Sequence, residues 1–399
     1  MTRYFTLLLL ALMVGGMVLP APVAAQDDEN PLLEMLATIP LAAVEDGALV
    51  TYGDFAAWHA ATGIPRVPDL AAAEALPELQ RAWWMFVMPR QVVPPSALGM
   101  EYMFREEMRS AYGFDVFAVD RYVATDAPPA NITVLETALE PARIGDALLA
   151  TGYEAEALDG GTFYRILDDF ETALGSDLPR VGVLGALNRI AVLDDGTILI
   201  GRATEVVQGA LDARQGVQAS LAEDARFRTA ANTLHRLSRS DVGALVGAVF
   251  YNGIVLGDPA LILEGASGPG GIHDLRATLP PQDDDTLSPY SLAAFGTYRS
   301  AEATYLAVAL VLLPGADAAA TADVLRQRMS GYVSLATKKP LSERWTFDRA
   351  FAGDDGDLPV SVVVMRVDDP PPAEGERVNT AVLSWIDLIY RLDLGFLSP

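Results

Sequence analysis

No cysteine occurs anywhere in the 399 residues. No disulfide can form, no thiolate can hold a metal or attack a substrate, and no N-terminal cysteine can carry a lipid. Stability must come from a buried core, and 51% apolar residues are enough to build one. The length suggests about two domains. Charge narrows the function classes. The chain carries 53 Asp+Glu against 28 Lys+Arg, a formal net charge of −25. Phosphates are contacted through Lys and Arg, so nucleic acid is not an expected partner. Only three histidines occur, His59, His235 and His273. They leave little for a His-based metal site, and no cofactor or metal is expected.

The first 25 residues read as a cleaved signal peptide. Arg3 gives a positive start, Tyr4–Leu19 is an uncharged apolar run, Pro20 and Pro22 break it, and Val23-Ala24-Ala25 fits a cleavage site. The alternative is a retained anchor, but the run falls short of the ~20 residues a span prefers. Cleavage after Ala25 removes Arg3 and takes the net charge from −25 to −26. No later run reaches ~18 uncharged apolar residues, so no internal transmembrane helix is expected. The expected location is extracytoplasmic, either secreted or envelope-associated.

Residues 26–43 read as an acidic leader with a short helix over Pro31–Ile39. Ala48–Tyr52 is a short strand, with Gly53-Asp54 placed to cap a helix bearing Phe55, Trp58 and Ala61 on one face. Leu70–Met88 is a long helical pattern broken at Pro77, and Ala97–Tyr112 is a helix stopped by Gly113. A helical insertion thus occupies about 55–112. Ile132–Leu139 and Thr162–Ile166 read as strands, with a helix between them from Ala142 to Ala150. Arg189–Gly201 is the clearest hairpin, turning at Asp194-Asp195-Gly196. Thr204 is placed to N-cap Glu205–Ala213. Later strands are Ala244–Tyr251, the wholly apolar Tyr305–Leu313, Arg344–Phe347 and Val360–Val367. Helices cover Ala318–Met329 and Thr380–Leu392.

The halves read as a repeat. Strand Ile132–Leu139, helix Ala142–Ala150 and Gly152-Tyr153 align with strand Tyr305–Leu313, helix Ala318–Met329 and Gly331-Tyr332. Each half also begins with a short strand. The expected fold class is α+β: two split β-α-β units, mainly antiparallel, with helices on one sheet face. The halves are 44–235 and 236–399, the second ending in an amphipathic helix. A continuous sheet and two domains both fit this pattern.

The segment from Tyr112-Gly113-Phe114-Asp115 to Tyr164 carries Asp120-Arg121, Val134-Leu135, Gly152-Tyr153 and Gly160–Tyr164. It is followed by Ile190–Gly201, Thr204–Leu211 and Ser220-Leu221-Ala222-Glu223-Asp224-Ala225-Arg226-Phe227-Arg228. Over Ser110–Thr233 this series resembles secreted or lipid-anchored bacterial envelope proteins of a domain-of-unknown-function type, with tandem α+β repeats. Many such relatives have a lipid-carrying cysteine, which this chain lacks. The resemblance implies an envelope setting and no established activity, so it assigns no site residues.

Trp83, Trp84 and Phe86 are the candidate ligand-binding residues, placed to line an apolar pocket or a stacking face. Adjacent positions on a helix point about 100° apart, so at most one tryptophan suits a given site; core packing is the competing reading. No catalytic residue is assigned. No Gly-x-Ser-x-Gly elbow and no Gly-Lys-Ser/Thr phosphate loop occurs. Gly268–Gly271 with His273 reads as a flexible connection. Asp168-Asp169, Asp283–Asp285 and Gly353–Asp357 read as solvated turns. The leading expectation is a non-catalytic exported protein, with a binding or structural role and an envelope protein as a conceivable partner. The alternatives are a carrier of an apolar small ligand and a carboxylate-based hydrolase.

Overall fold

The computed structural model describes residues 30–92, 106–126, 130–173, 185–253, 286–335, 337–353, 357–368 and 383–398. The signal segment 1–25, Gly268–Gly271 with His273, Asp283–Asp285, Asp354–Gly356 and the Pro370–Glu376 loop lie outside the described residues. Contacts divide the chain into a leading unit, Met1–Pro31, and the unit Leu32–Pro399, which contains the sheet.

The strands are β1 (Leu49–Asp54), β2 (Val119–Asp126), β3 (Ile132–Thr137), β4 (Glu154–Leu158), β5 (Gly161–Arg165), β6 (Arg189–Leu193), β7 (Thr197–Gly201), β8 (Ala244–Asn252), β9 (Tyr290–Arg299), β10 (Ala303–Leu312), β11 (Thr346–Gly353) and β12 (Val360–Asp368). The helices are α1 (Pro31–Leu36), α2 (Phe55–Thr62), α3 (Leu70–Glu74), α4 (Glu78–Ala82), α5 (Met88–Gln91), α6 (Glu106–Tyr112), α7 (Pro141–Thr151), α8 (Thr204–Arg214), α9 (Ala225–Ser238), α10 (Ala318–Gly331) and α11 (Leu383–Tyr390). A π turn, Trp83–Val87, joins α4 to α5.

The twelve strands form one sheet in the order β11-β12-β10-β9-β8-β1-β2-β3-β7-β6-β5-β4. All its pairings are antiparallel. The class is α+β. β1 pairs with β2 on one side and β8 on the other, so the sheet runs unbroken through both halves. Each half begins as a three-strand meander, β1-β2-β3 or β8-β9-β10. A helix, α7 or α10, follows, and the chain then returns to pair outside the third strand, β7 on β3 and β12 on β10.

Helices cover both faces, which corrects the expectation of one. On the front face, α1, α8 and α9 bury Leu36, Leu211, Phe227 and Leu234 against Val50, Val134, Leu199 and Ala309. On the back face, α2, α3, the π turn, α5, α6 and α7 cover the first half and α10 and α11 the second. The reason lies in the strands. All ten residues of β10 are buried, with Leu306, Val308 and Leu310 at the back and Ala307, Ala309 and Val311 in front. Complete burial is worth about 1.5–3 kcal/mol for each large apolar side chain. A strand apolar at both parities realises that gain only if both sides are covered.

Local chemistry explains the helix starts. Asp54 caps α2, its carboxylate accepting from Ala57 N at 2.7 Å. Asp317 caps α10 through Ala319 N and Ala320 N at 3.1 and 3.0 Å. The Ser220–Arg228 segment is a capping turn: Glu223 accepts from Ser220 N at 3.0 Å and Asp224 from Arg226 N at 2.8 Å, seating Phe227 in the core. Thr204 does not cap α8, contrary to expectation, because it is already helical. Asp169 supplies the acceptor from outside, 2.9 Å from Thr204 N. Asp168-Asp169 is therefore more than a solvated turn, since Asp169 also pairs at 2.7 Å with the buried Arg189.

Candidate functional site

The structure does not bring Trp83, Trp84 and Phe86 to one surface. Trp83 and Trp84 are each 1% exposed, whereas Phe86 is 60% exposed. Trp84 stacks on Phe117 at 4.8 Å and lies 6.0 Å from the His59 ring. Burial holds His59 below the ordinary imidazole pKa, and its Nδ1 lies 2.9 Å from Ile64 O. Trp83 meets Trp58 at 6.4 Å, and the Arg299 guanidinium lies 4.6 Å from its ring centre. Both rings fill the back core instead of lining a space, while Phe86 faces solvent.

Around Trp83 runs a buried polar chain that sequence reasoning missed. Trp58 Nε1 donates to Gln91 Oε1 at 2.6 Å, and Gln91 Nε2 donates to Thr304 Oγ1 at 2.9 Å. Arg299 Nη1 donates to the same hydroxyl at 2.8 Å. Gln91 and Thr304 lie 213 residues apart, so this chain fastens the helical insertion to the β9–β10 hairpin. Satisfied buried hydrogen bonds of this kind specify one packing of the core.

Carboxylates gather at one end of β1, β2 and β3. Asp54 stands opposite Arg121, and Arg121 opposite Glu136. Arg121 Nε pairs with Glu136 at 2.7 Å, with Glu34 3.9 Å from its Nη1. Burial raises the Asp54 pKa, against the Ala57 N–H and the Arg121 charge, which lower it. Tyr52 donates its hydroxyl to Asp54 at 3.2 Å. Asp54 is held by a helix cap and a tyrosine, and Glu136 by an arginine. Among the described residues no group of three or more His, Cys, Asp or Glu could hold a metal ion.

Among the described residues, an open depression lies on the front face over each half of the sheet. The first, of about 280 Å³, lies beside α8 and is lined by Asp159, Asp194, Asp195, Leu193, Leu211 and Arg214. Arg214 pairs with Asp195. Burial pushes the Asp195 pKa up, but hydrogen bonds from Thr197 and the Arg214 charge hold it below the usual carboxylate value.

The second depression is a groove of about 510 Å³ between α9 and the edge strand β11. Thr233, Arg236, Leu237 and Ser240 lie at i, i+3, i+4 and i+7 along α9 and its C-terminal end, forming one wall. Arg349, Phe351 and Gly353 come from β11. A β-bulge places these three. Phe347 stands opposite Met365, while Arg349 already stands opposite Val364, so Asp348 is an extra residue. Phe347 consequently packs at the back, and Arg349, Phe351 and Gly353 share the front side with Val364, Val362 and Val360. Arg349 Nη2 pairs with Asp241 at 2.7 Å and reaches Ser240 Oγ at 3.5 Å. Farther along, Arg228 pairs with Asp357 at 2.7 Å and ties α9 to the β11–β12 connection. The result is an apolar floor, Leu237 and Phe351, under a cationic rim. The sequence signal for it is faint: the Thr-Phe-Asp-Arg-Ala-Phe run alternates on both sides of Asp348 but out of phase.

No helix among the described residues is long and apolar enough to cross a membrane. No protein-family model matches the chain, and no curated protein matches it. Among solved structures the chain is similar to TP0453. Crystal form I has 10% identity and a TM-score of 0.36, over 88% of this chain and 97% of that one. Crystal form IV has 10% identity and a TM-score of 0.32, over 81% of this chain and 92% of that one.

Proposed function

We propose that this chain is an exported, non-catalytic protein of the envelope or extracellular space, and that it binds a small amphipathic molecule in the groove between α9 and β11. The observation that carries the reading is the bulge at Asp348. It turns Phe351 and Arg349 toward Leu237 and Arg236, which gives a lined groove of about 510 Å³ in place of a flat sheet edge. That size falls within the range of small-molecule sites. Export rests on the Met1–Ala25 pattern, and membership of a lipoprotein-like envelope group rests on the Ser110–Thr233 resemblance. The carrier role moves from the Trp83/Trp84 helix to the opposite face, because both tryptophans are spent on core packing.

The reading also treats the halves as repeats of a split β-α-β plan. β12 lies between β10 and β11, and β7, β6 and β5 lie between β3 and β4. The tyrosine after each crossover helix donates its hydroxyl to a distant acceptor: Tyr153 to Leu187 O at 2.6 Å, Tyr332 to Asp393 Oδ1 at 2.6 Å. Native mass spectrometry of the chain from Gln26, purified from its export host, tests the binding role. The expected result is a bound small mass that Thr233→Trp, which fills the groove, removes. A clean apo mass would return the protein to a structural or protein-binding role.

A further inference from the structure

We infer that the molecule held in the α9–β11 groove carries one anionic headgroup on an apolar chain, and that the headgroup takes the place of Asp241 at Arg349. This inference rests on the binding role proposed above. It starts from charge. In a chain of net charge −25, the rim of this groove is formed by two arginines, Arg236 on α9 and Arg349 on β11. Arg349 pairs with Asp241 at 2.7 Å and lies 3.4 Å from Asp348, and both arginines line the groove.

Arg349 has two carboxylate partners, Asp241 at 2.7 Å and Asp348 at 3.4 Å, and the nearer one is weakly committed. The Arg349 side chain is 34% exposed, but that of Asp241 is 76% exposed. Asp241 lies just past α9 and is not itself a lining residue of the groove. The Arg349 hydrogen bond and charge hold the Asp241 carboxyl below its usual pKa, so it is ionised and competes as a carboxylate. An ion pair this exposed contributes little, and exchanging it for a ligand carboxylate or phosphate loses little. The incoming group gains more. A guanidinium takes a carboxylate or phosphate through two parallel hydrogen bonds, with Ser240 and Arg236 on the same rim. Below the rim, Leu237 and Phe351 supply apolar surface for a hydrocarbon chain. The chemistry that fits both parts is a single-chain amphiphile with a carboxylate or phosphate head.

The test uses the mature chain and four probes in isothermal titration: dodecanoate, dodecyl phosphate, dodecanol and acetate. Either charged amphiphile is expected to bind at least about tenfold tighter than dodecanol, with acetate weaker still. Arg349→Gln should cut that preference to about threefold or less, and Asp241→Asn, which removes the nearer of two competing carboxylates, should tighten the charged probes. Binding of dodecanol equal to that of the charged amphiphiles would overturn the headgroup inference and leave the groove standing. Acetate matching dodecanoate would overturn the chain part and indicate an anion site. Failure of all four to bind, with the fold intact by circular dichroism, would overturn the binding role itself. Dodecanoate and dodecyl phosphate together distinguish a carboxylate from a phosphate source.

Discussion

On the front of the sheet, α8 packs on β3, β6 and β7 in the first half as α9 packs on β8, β9, β10 and β12 of the second. Each depression has an arginine paired with aspartate, Arg214 with Asp195 and Arg349 with Asp241 and Asp348. The charges are opposite: Asp159, Asp194 and Asp195 line the first, Arg236 and Arg349 the second. The acids have a folding reason to be there. Asp159-Gly160 and Asp195-Gly196 are hairpin turns, with both glycines at positive φ, and Asp195 accepts from Thr197 N at 3.0 Å. Arg349 is held instead by exposed or half-exposed carboxylates, Asp241 and Asp348, outside any hairpin turn. Of these two depressions, only the second is lined by arginines without an acid. That difference is the reason to place the ligand in the second.

The largest expected effect tests whether the two halves are one body. Trp83→Ala should cost about 3–5 kcal/mol, as for other buried tryptophans, and Trp385→Ala in the back core of the second half a similar amount. Because β1 and β8 join the halves, either variant should shift a single denaturant transition. Tryptophan fluorescence and far-UV circular dichroism should coincide. Two separated transitions would mean that the depressions belong to independent domains.

Next in size is the bulge. Inserting one alanine between Asp348 and Arg349 shifts the rest of β11 by one residue against β12, so Phe351 and Arg349 would turn away from the groove. The expected loss is about 2–3 kcal/mol, one aromatic side chain's worth of burial, together with all binding of the dodecyl probes. No such residue supports the acidic depression, and Arg214→Gln should leave both stability and probe binding within experimental error. Retained binding in the insertion variant, followed by titration, would show that Phe351 and Arg349 do not form the groove.

These residues also show where the sequence was legible. The Asp194-Asp195-Gly196 hairpin, the Asp54 cap, the stop at Gly113 and the break at Pro77 were readable because each rests on local chemistry. β4 was not. Glu-Ala-Glu-Ala favours helix, and only pairing with β5 makes it a strand. β2 and β9 escaped because charges and small residues blur their alternation, and α9 because two polar residues, Thr229 and Thr233, sit among its core positions. Continuous apolar character in Tyr305–Leu313 did announce burial on both sides, yet helices were expected on one face only. The groove was the least legible feature. It depends on a one-residue register shift and on a helix and a strand more than 100 residues apart. Trp83 and Trp84 drew attention by size, and size mostly measures what a core needs.

The smallest effect contrasts the caps of the two halves. Asp317 caps α10 at the surface, and Asp317→Ala should cost about 1 kcal/mol. The first-half counterpart, α7, follows Glu140, which makes no side-chain cap bond, so Glu140→Ala should be near neutral. Asp54 combines a cap with burial. Its folded pKa is raised, so the folded state binds a proton more readily than the unfolded chain. Stability contributed by this group therefore falls as pH rises from the ordinary carboxylate value through the raised one, and the burden persists at neutral pH. Asp54→Asn keeps an oxygen for Ala57 N–H and removes the buried charge. It should match the parent in acid, below the ordinary carboxylate pKa, and equal or exceed it at pH 7, while Asp54→Ala loses the cap at both. Urea midpoints at the two pH values decide the matter. If Asp54→Asn proves less stable than the parent only at neutral pH, pairing with Arg121 outweighs the cost of burial.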